Sequence, residues 1–347
     1  MPARSVDGTC GLALASDGSF LAFGDYHGRL RLWKAVPGRE RERLVVRCPT
    51  GTMSVQPIAV GPEGRSVLAR GFKSGEEGRI ETELFAWSVR GDMSTATRLP
   101  IRQDLLPGPL VDDGQSVVGL ITEGARSAPT VRLVTIDLRS GRELTSIALN
   151  EAPFHLAAFS ADGKLCVGNR GDGLIGVWDV ASGRKILDLG HGPGTVDSIA
   201  IDPTGTTLAV GRSAVKGRGL IQVHDLETGQ VVQTIVGGRS RCAVSLSLGP
   251  EGRHLAVVWH SPQYRWPTVR GERLDERLRH ELERWGVLST PEDQPPSGEI
   301  IDTLTAQVID RLDLSLTGPE AILFSPDGSR VMSVVPDGGV GIWDLTY

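Results

Sequence analysis

Two short patterns in this chain are of types that carry chemistry in other proteins. Gly171-Asp172-Gly173-Leu174-Ile175-Gly176 matches the glycine spacing that binds the pyrophosphate of a dinucleotide. That chemistry needs a helix N-terminus directly after the glycines, whereas Val177-Trp178-Asp179 continues as a strand-like stretch. The pattern therefore predicts a hairpin turn. The second pattern, His280-Glu281-Leu282-Glu283-Arg284, lacks the second histidine of a zinc peptidase helix.

The histidines also fail to form a metal-ligand spacing. They are spread over the whole chain, at His27, His155, His191, His224, His254, His260 and His280. Isolated histidines are more often structural or exposed than ligands. We therefore predict no catalytic residues, no metal ion and no cofactor.

The composition excludes several classes of function. Lys and Arg total 37 against 42 Asp and Glu, for a formal net charge of −5, which does not fit a general nucleic-acid binder. No apolar stretch is long enough to span a bilayer, so no membrane interaction is expected. The cysteines form no Cys-x-x-Cys pair, as expected in a reducing compartment, and lie at Cys10, Cys48, Cys166 and Cys242. We predict a cytoplasmic protein.

The elements that must position any site follow from an internal repeat. Seven times, an acidic or polar residue followed by Gly precedes a short apolar run, with the glycines at Gly18, Gly64, Gly114, Gly163, Gly205, Gly252 and Gly328. The intervals are 46, 50, 49, 42, 47 and 76 residues. Three strand-like stretches are visible in the last copy, and earlier copies add a fourth, such as Lys185-Ile186-Leu187-Asp188-Leu189. This period, with four strands in each unit, is typical of a β-propeller.

The third strand of each copy ends in Trp-Asp or a remnant of it. The seven dipeptides are Trp33-Lys34, Trp87-Ser88, Ile136-Asp137, Trp178-Asp179, His224-Asp225, Ile301-Asp302 and Trp343-Asp344. In these features the chain resembles a divergent member of the WD-repeat propeller family, over nearly its whole length. The resemblance implies an all-β fold: residues 1–347 as a single seven-bladed β-propeller with four-stranded antiparallel blades. A family Gly-His pair occurs only as Gly190-His191, in a repeat with His224 in place of Trp.

Closure of the ring depends on the last blade. The chain stops after the third strand of blade seven, and in this family the missing strand usually comes from the N-terminus. Residues 2–6 are expected to supply a short closing strand. The alternative is an open strand edge that another chain can pair with.

The long interval results from an insert, residues 260–297, between the second and third strands of blade six. Within it Leu274, Leu278, Leu282 and Trp285 recur at helical spacing, and Gly286 is placed to end a helix. Family geometry puts this helical insert on the top face. Its apolar stripe must be covered either by the propeller or by a partner, and the preceding Tyr264-Arg265-Trp266 has the residue types enriched at binding hot spots.

Other loops on the same face carry polar and cationic residues. Those expected to contact a partner are Tyr26, Lys73, Arg126, Arg170, Arg212, Lys216 and Arg218, beside His27. A local surplus of positive charge attracts an acidic segment of a partner protein. The alternative is that these are ordinary solvated loop charges.

These observations favour a non-catalytic scaffold or regulatory subunit that binds one or more proteins on its top face with help from the blade-six insert. We expect a monomer when no partner is bound. Composition and Arg usage are typical of bacterial proteins. The alternative is a small-ligand sensor or an enzyme that uses the central channel, with Asp112, Asp113, Asp202 and His254 near strand ends. A third possibility is a domain of a longer polypeptide.

Overall fold

The protein is an all-β, seven-bladed propeller in which each blade is a small antiparallel sheet. The computed structural model describes residues 9–25, 27–34, 41–48, 52–74, 80–90, 93–99, 105–124, 129–149, 151–170, 173–215, 218–239, 242–260, 268–269, 272–273, 297–312, 322–334 and 340–345. In these ranges the only helical elements are the short 3-10 turns Pro62–Gly64 and Pro250–Gly252. The same ranges contain no helix long and apolar enough to cross a bilayer.

The first three blades each contain four antiparallel strands. Blade one consists of β1 Thr9–Leu14, β2 Phe20–Asp25, β3 Arg29–Lys34 and β4 Arg41–Arg47. Blade two consists of β5 Thr52–Val60, β6 Ser66–Ser74, β7 Ile80–Arg90 and β8 Met93–Leu99. Blade three consists of β9 Leu105–Val111, β10 Ser116–Glu123, β11 Thr130–Asp137 and β12 Glu143–Leu149.

The remaining blades continue the pattern. Blade four consists of β13 Phe154–Phe159, β14 Leu165–Arg170, β15 Leu174–Asp179 and β16 Lys185–His191. Blade five consists of β17 Thr195–Ile201, β18 Thr207–Val215, β19 Arg218–Asp225 and β20 Val231–Arg239. Blade six consists of β21 Cys242–Leu248, β22 His254–His260, β25 Ser297–Asp302 and β26 Val308–Leu312, and the pair β23 Thr268–Val269 and β24 Glu272–Arg273 forms a separate two-stranded hairpin. The described part of blade seven consists of β27 Ile322–Phe324, β28 Arg330–Val334 and β29 Val340–Asp344.

The repeated turns explain why the strands begin and end where they do. Between β13 and β14, Gly163 has a φ of 71°, in the region that favours glycine, and donates its backbone N–H to the Ser160 carbonyl at 2.9 Å. The Asp162 carboxylate accepts the backbone N–H of Lys164 at 3.0 Å. The acidic-Gly pairs identified in the sequence are therefore the turns that join first and second strands.

The hydrophobic core is divided among the gaps between neighbouring blades. The described residues form seven buried clusters, and each cluster combines side chains from two adjacent blades. The cluster that closes the ring joins Leu12, Leu21 and Phe23 of blade one to Met332 of blade seven. The predicted count of seven blades is confirmed. Residues 2–6, predicted to supply a closing strand, lie outside the described residues.

The antiparallel order defines two faces of the ring. Turns between first and second strands, and between third and fourth strands, lie on one face, here called the lower face. Loops between second and third strands share the upper face with the links between blades. Strands β22 and β25 are hydrogen-bonded neighbours, so residues 261–296 enter and leave blade six on the upper face.

The helix predicted within the insert receives no support from the structure. Residues 274–285, where the helix was expected, lie outside the described residues. The insert residues that are described form the short β23–β24 hairpin, with Thr268 opposite Arg273 and Val269 opposite Glu272. Strand pairing in that part was not expected from the sequence, because two-residue strands leave no readable alternation.

Candidate partner-binding site on the upper face

Ten of the fourteen residues expected to contact a partner lie outside the described residues. They are Tyr26, Arg126, Lys216, Tyr264, Arg265, Trp266, Leu274, Leu278, Leu282 and Trp285. Their assignment to a binding surface stays a prediction. The other four, Lys73, Arg170, Arg212 and Arg218, fall into three different environments.

Lys73 is part of an ion-pair network across blade two. Its Nζ lies 2.6 Å from Glu83 Oε2, and Arg98 Nη2 lies 2.6 Å from Glu83 Oε1. Glu83, on β7, thus stands between cations on β6 and β8. Since one carboxylate serves both cations, Lys73 helps to hold three strands together and is a poor candidate for a free binding charge.

Blade three contains a similar ion-pair network, in which the central residue is a cation and its two partners are carboxylates. Arg132, on β11, lies 2.9 Å from Glu123 on β10 and 2.7 Å from Glu143 on β12. Hydrogen bonds from Arg132 hold the pKa of the Glu143 carboxyl below its ordinary value. In blade six, Glu299 accepts a hydrogen bond of 2.8 Å from Trp259 Nε1. A charged residue on the third strand therefore recurs as a bridge between strands.

Arg170 is also neutralised within the protein. Its Nη1 lies 3.2 Å from Glu151 Oε2, and Lys185 Nζ lies 2.6 Å from the other oxygen of the same carboxylate. Lys185 Nζ in addition lies 5.3 Å from the ring centroid of Trp178, within cation–π range. The predicted cationic surplus of blade four is thus reduced by a glutamate in the link between blades three and four.

Blade five differs, because strand register places two arginines opposite each other at its upper end. Arg218 is exposed, and Arg239 is its direct cross-strand partner at the open end of the β19–β20 pair. Like charges placed opposite each other in this way repel. Residues 212–218 and 237–242 contain no Asp or Glu, while Lys216 and Arg241 add two more cations to these segments. In the described part of the chain, no ion pair involves Arg218.

Arg212 is not an exposed rim charge, which corrects the expectation from the sequence. It is 2% exposed and faces the interface between blades four and five. A Cβ placed on Gly192 would lie 2.4 Å from the Arg212 Cζ atom, so the guanidinium lies directly against the backbone of the link between these blades. Among the described residues, its one hydrogen bond is a long one of 3.5 Å from Nη1 to the Gly194 carbonyl, and burial lowers its pKa.

His224 occupies the position that Trp178 holds in the preceding blade. It is buried, and neither ring nitrogen has a hydrogen-bond partner among the described residues. Burial lowers the pKa of His224, and the charge of Arg212 also lowers it. A histidine in this environment stays neutral at physiological pH and acts as a packing residue.

Three of the four residues considered for channel chemistry have a role in the fold. Asp112 and Asp113 have positive φ values of 52° and 53° in the turn between β9 and β10. Asp202 is fully buried and accepts the backbone N–H groups of Thr204, Thr206 and Thr207. The described residues contain no group of three or more His, Cys, Asp or Glu that could hold a metal ion.

Two features were missed by the sequence reasoning. The first is the position of Arg239 opposite Arg218, to which the stretch Arg239-Ser240-Arg241, without a neighbouring acid, could have drawn attention. The second is a set of exposed apolar side chains at the outer edges of blades five and six: Val231, Val232, Val236, Val308 and Ile309 on the fourth strands, and Leu304 in the turn before β26. Their exposure could not be read from the sequence, because alternation indicates that a strand has two faces but not which of them stays exposed to solvent.

Comparisons with known proteins give no assignment. No protein-family model matches the chain, and no curated protein matches it. The functional argument therefore depends on the geometry of the rim.

Proposed function

We propose that this protein is a non-catalytic interaction scaffold or regulatory subunit, a divergent WD-repeat propeller of bacterial type that binds an acidic segment of a partner protein. The binding surface is the upper rim of blade five, here called the blade-five rim, which comprises Arg218, Arg239, Lys216 and Arg241. The insert of blade six enters the same face and adds contacts beside it.

One observation carries the proposal. Arg218 and Arg239 are placed opposite each other by strand register, and Arg218 has no ion pair in the described residues. Elsewhere on the described upper face, Lys73 and Arg170 form ion pairs with Glu83 and Glu151. Uncompensated cations in one place raise the association rate and orient an acidic partner.

The proposal is tested by binding of two labelled peptides, one rich in Glu and Asp and a matched one with Gln and Asn in their place. We expect the protein to bind only the acidic peptide, with affinity that decreases as salt is added. Arg218→Glu and Arg239→Glu should each weaken binding by at least about tenfold, about 1.4 kcal/mol.

The matched control is Lys164→Glu. Lys164 is a highly exposed cation, paired at 2.9 Å with Asp162 in a turn on the lower face, so this substitution makes the same change of charge far from the rim. If Lys164→Glu weakens peptide binding as much as Arg218→Glu, the effect is one of net charge and the assignment to blade five is wrong.

The contribution of the insert is tested separately. Residues 264–292 are replaced by a short Gly-Ser loop, and capture of partners from the native host is compared with that of the intact chain. Loss of capture with an unchanged melting temperature supports a docking role for the insert. Unchanged capture restricts the binding surface to the blade-five rim.

A further inference from the structure

The interface between blades four and five contains a buried cation without a counter-charge. Arg212 is 2% exposed, its Nε has no hydrogen-bond partner, and no ion pair includes it among the described residues. A guanidinium does not lose its proton in a protein, so its charge persists when it is buried. Buried charges are normally paired or coordinated, because desolvation of an unpaired charge is strongly unfavourable.

A second buried polar group without a partner faces the same interface. Asn169 is 5% exposed, and its side-chain oxygen accepts no hydrogen bond among the described residues. Asn169 lies two residues after Val167 on β14, and Arg212 lies two residues after Val210 on β18, so each pair shares one face of its strand. Val167 and Val210 belong to the buried cluster between blades four and five, so both polar side chains lie on the faces that form that interface.

The link between the two blades lies over this upper end of the interface. Asn169 pairs with Ile175, which in turn pairs with Gly190, so that one row of residues leads across blade four to the start of the link. A Cβ placed on Gly190 meets no atom within 4 Å, and the adjacent Pro193 and Gly194 are exposed. Three of the five residues in Gly190-His191-Gly192-Pro193-Gly194 are glycines, and Gly192 lies directly against the Arg212 guanidinium.

We propose that this place is a binding site for a single oxyanion group, a carboxylate or a phosphate, with Arg212 as its charged ligand and Asn169 as a hydrogen-bonding partner. A guanidinium presents two N–H groups in the geometry of a carboxylate or phosphate, and the pairing is strong where water is excluded. The Asn169 carboxamide has both a donor and an acceptor and donates from its NH2 group to the anion. Gly190–Gly194 is the cover that the anion displaces or passes beneath.

Among the described residues, no carboxylate forms an ion pair with Arg212. Burial has the larger effect in lowering the pKa of His224 on the next strand, β19, and the charge of Arg212 also lowers it. In this proposal the anion is supplied by a small molecule or by an acidic side chain of a partner.

The site is tested by thermal unfolding of the full chain in increasing succinate, inorganic phosphate or the acidic peptide, against sodium chloride at matched ionic strength. We expect a saturable rise in melting temperature of about 3 °C at a hundredfold excess over Kd. A response to succinate or phosphate identifies a small-molecule source. A response to the peptide alone identifies a partner side chain only if it is kept in Arg218→Glu, which weakens the blade-five rim, and lost in Arg212→Met.

Two substitutions remove the site in different ways. Arg212→Met removes the charge, and Gly192→Ala places a methyl group 2.4 Å from the present position of Cζ. Both should abolish the saturable shift, while Arg218→Glu, on the exposed rim, should keep the shift produced by succinate or phosphate. The second variant keeps the test decisive if the first does not fold.

An equal shift in the native protein and in both variants, or no saturable shift with any probe, overturns the proposal. Neither result affects the blade-five rim, whose test depends on Arg218 and Arg239. Conversely, a rim that fails to bind the acidic peptide leaves the response to succinate and phosphate intact. The two proposals therefore fail independently.

Discussion

Replacement of Arg132 by Met removes the centre of the charge network in blade three. Arg132 contacts the carboxylates of Glu123 at 2.9 Å and Glu143 at 2.7 Å, and it also donates to Ser146. Met has a similar length and packs as well along the sheet, so the substitution removes the charge with little change in volume. Glu123 and Glu143 then keep their charges without the cation between them.

The expected loss of unfolding free energy depends on how far the three charged side chains are exposed to solvent. Arg132 is 20% exposed, Glu123 33% and Glu143 39%, so solvent screens both pairs. Exposed pairs contribute about 0.2–1 kcal/mol each, and networks with good geometry reach the upper part of this range. We expect Arg132→Met to lower the free energy of unfolding by about 1–2 kcal/mol at pH 7, measured by urea titration with circular dichroism.

The matched control is Lys164→Met. Lys164 is 79% exposed and its partner Asp162 46%, so solvent screens this pair more fully. We expect its loss to lower the free energy of unfolding by no more than about 0.5 kcal/mol. If Arg132→Met has no larger effect than Lys164→Met, the network does not stabilise blade three.

The effect should depend on pH in a defined direction. Hydrogen bonds from Arg132 lower the pKa of Glu143 in the folded state from its ordinary value of 4.5. A lowered carboxyl pKa stabilises the folded protein fully above the unfolded pKa, and this contribution is lost as pH falls through the folded pKa. The difference between the native protein and Arg132→Met should therefore narrow below about pH 4.5. A difference that is the same at pH 7 and pH 3.5 would refute the ionic explanation.

Three further substitutions or reactions test the fold. Gly24→Ala places a Cβ 1.8 Å from the Val55 carbonyl oxygen of the next blade. We expect it to lower the free energy of unfolding, measured in urea, by at least about 3 kcal/mol, and a decrease below about 1 kcal/mol would contradict the close approach. Asp202→Ala leaves three backbone N–H groups without their acceptor and should lower the free energy of unfolding by about 3–5 kcal/mol, whereas a neutral effect would mean that water replaces the carboxylate. Cys166 and Cys242 should resist thiol reagents at pH 8 until urea unfolds the protein, because burial raises the pKa of both thiols. The pKa of Cys242 is raised to about 11, with a further contribution from Asp197. Rapid labelling of the native protein would refute this prediction.

The number of blades and the strands within them could be predicted because turns and strands are determined by residues that are close in the sequence. Gly18 and Gly163 take the positive φ values, 70° and 71°, that their turns need. Trp87 and Trp178 are each 2% exposed, since a large apolar residue at the end of a third strand lies between two blades. Each such feature depends on residues a few positions apart, so the sequence contains the whole signal.

The charged residues of the site could not be predicted in the same way. Lys73 meets Glu83 across a strand pair, and Arg170 meets Glu151 from 19 positions away. A loop cation looks the same in the sequence whether or not a carboxylate from another element lies beside it. The expected surplus of positive charge was thus too large in blade four.

The burial of Arg212 could not be predicted from the sequence either. Its segment, Gly211-Arg212-Ser213, has the composition of a solvent-exposed strand end, and the sequence therefore suggested a rim cation. Burial of the guanidinium depends on the link from blade four, which brings Gly192 against it. That contact exists only after neighbouring blades have packed together.

The amino-acid sequence by itself determined a ring of seven small sheets, the turns that join their strands and the place where an insert enters. These features arise from backbone preferences and alternation, which act over a few residues. Only the tertiary structure decided which cations are neutralised, which one is buried without a counter-charge and which two arginines face each other at the rim of blade five. Electrostatic environment depends on distances between side chains of different strands and blades, and ring closure fixes those distances.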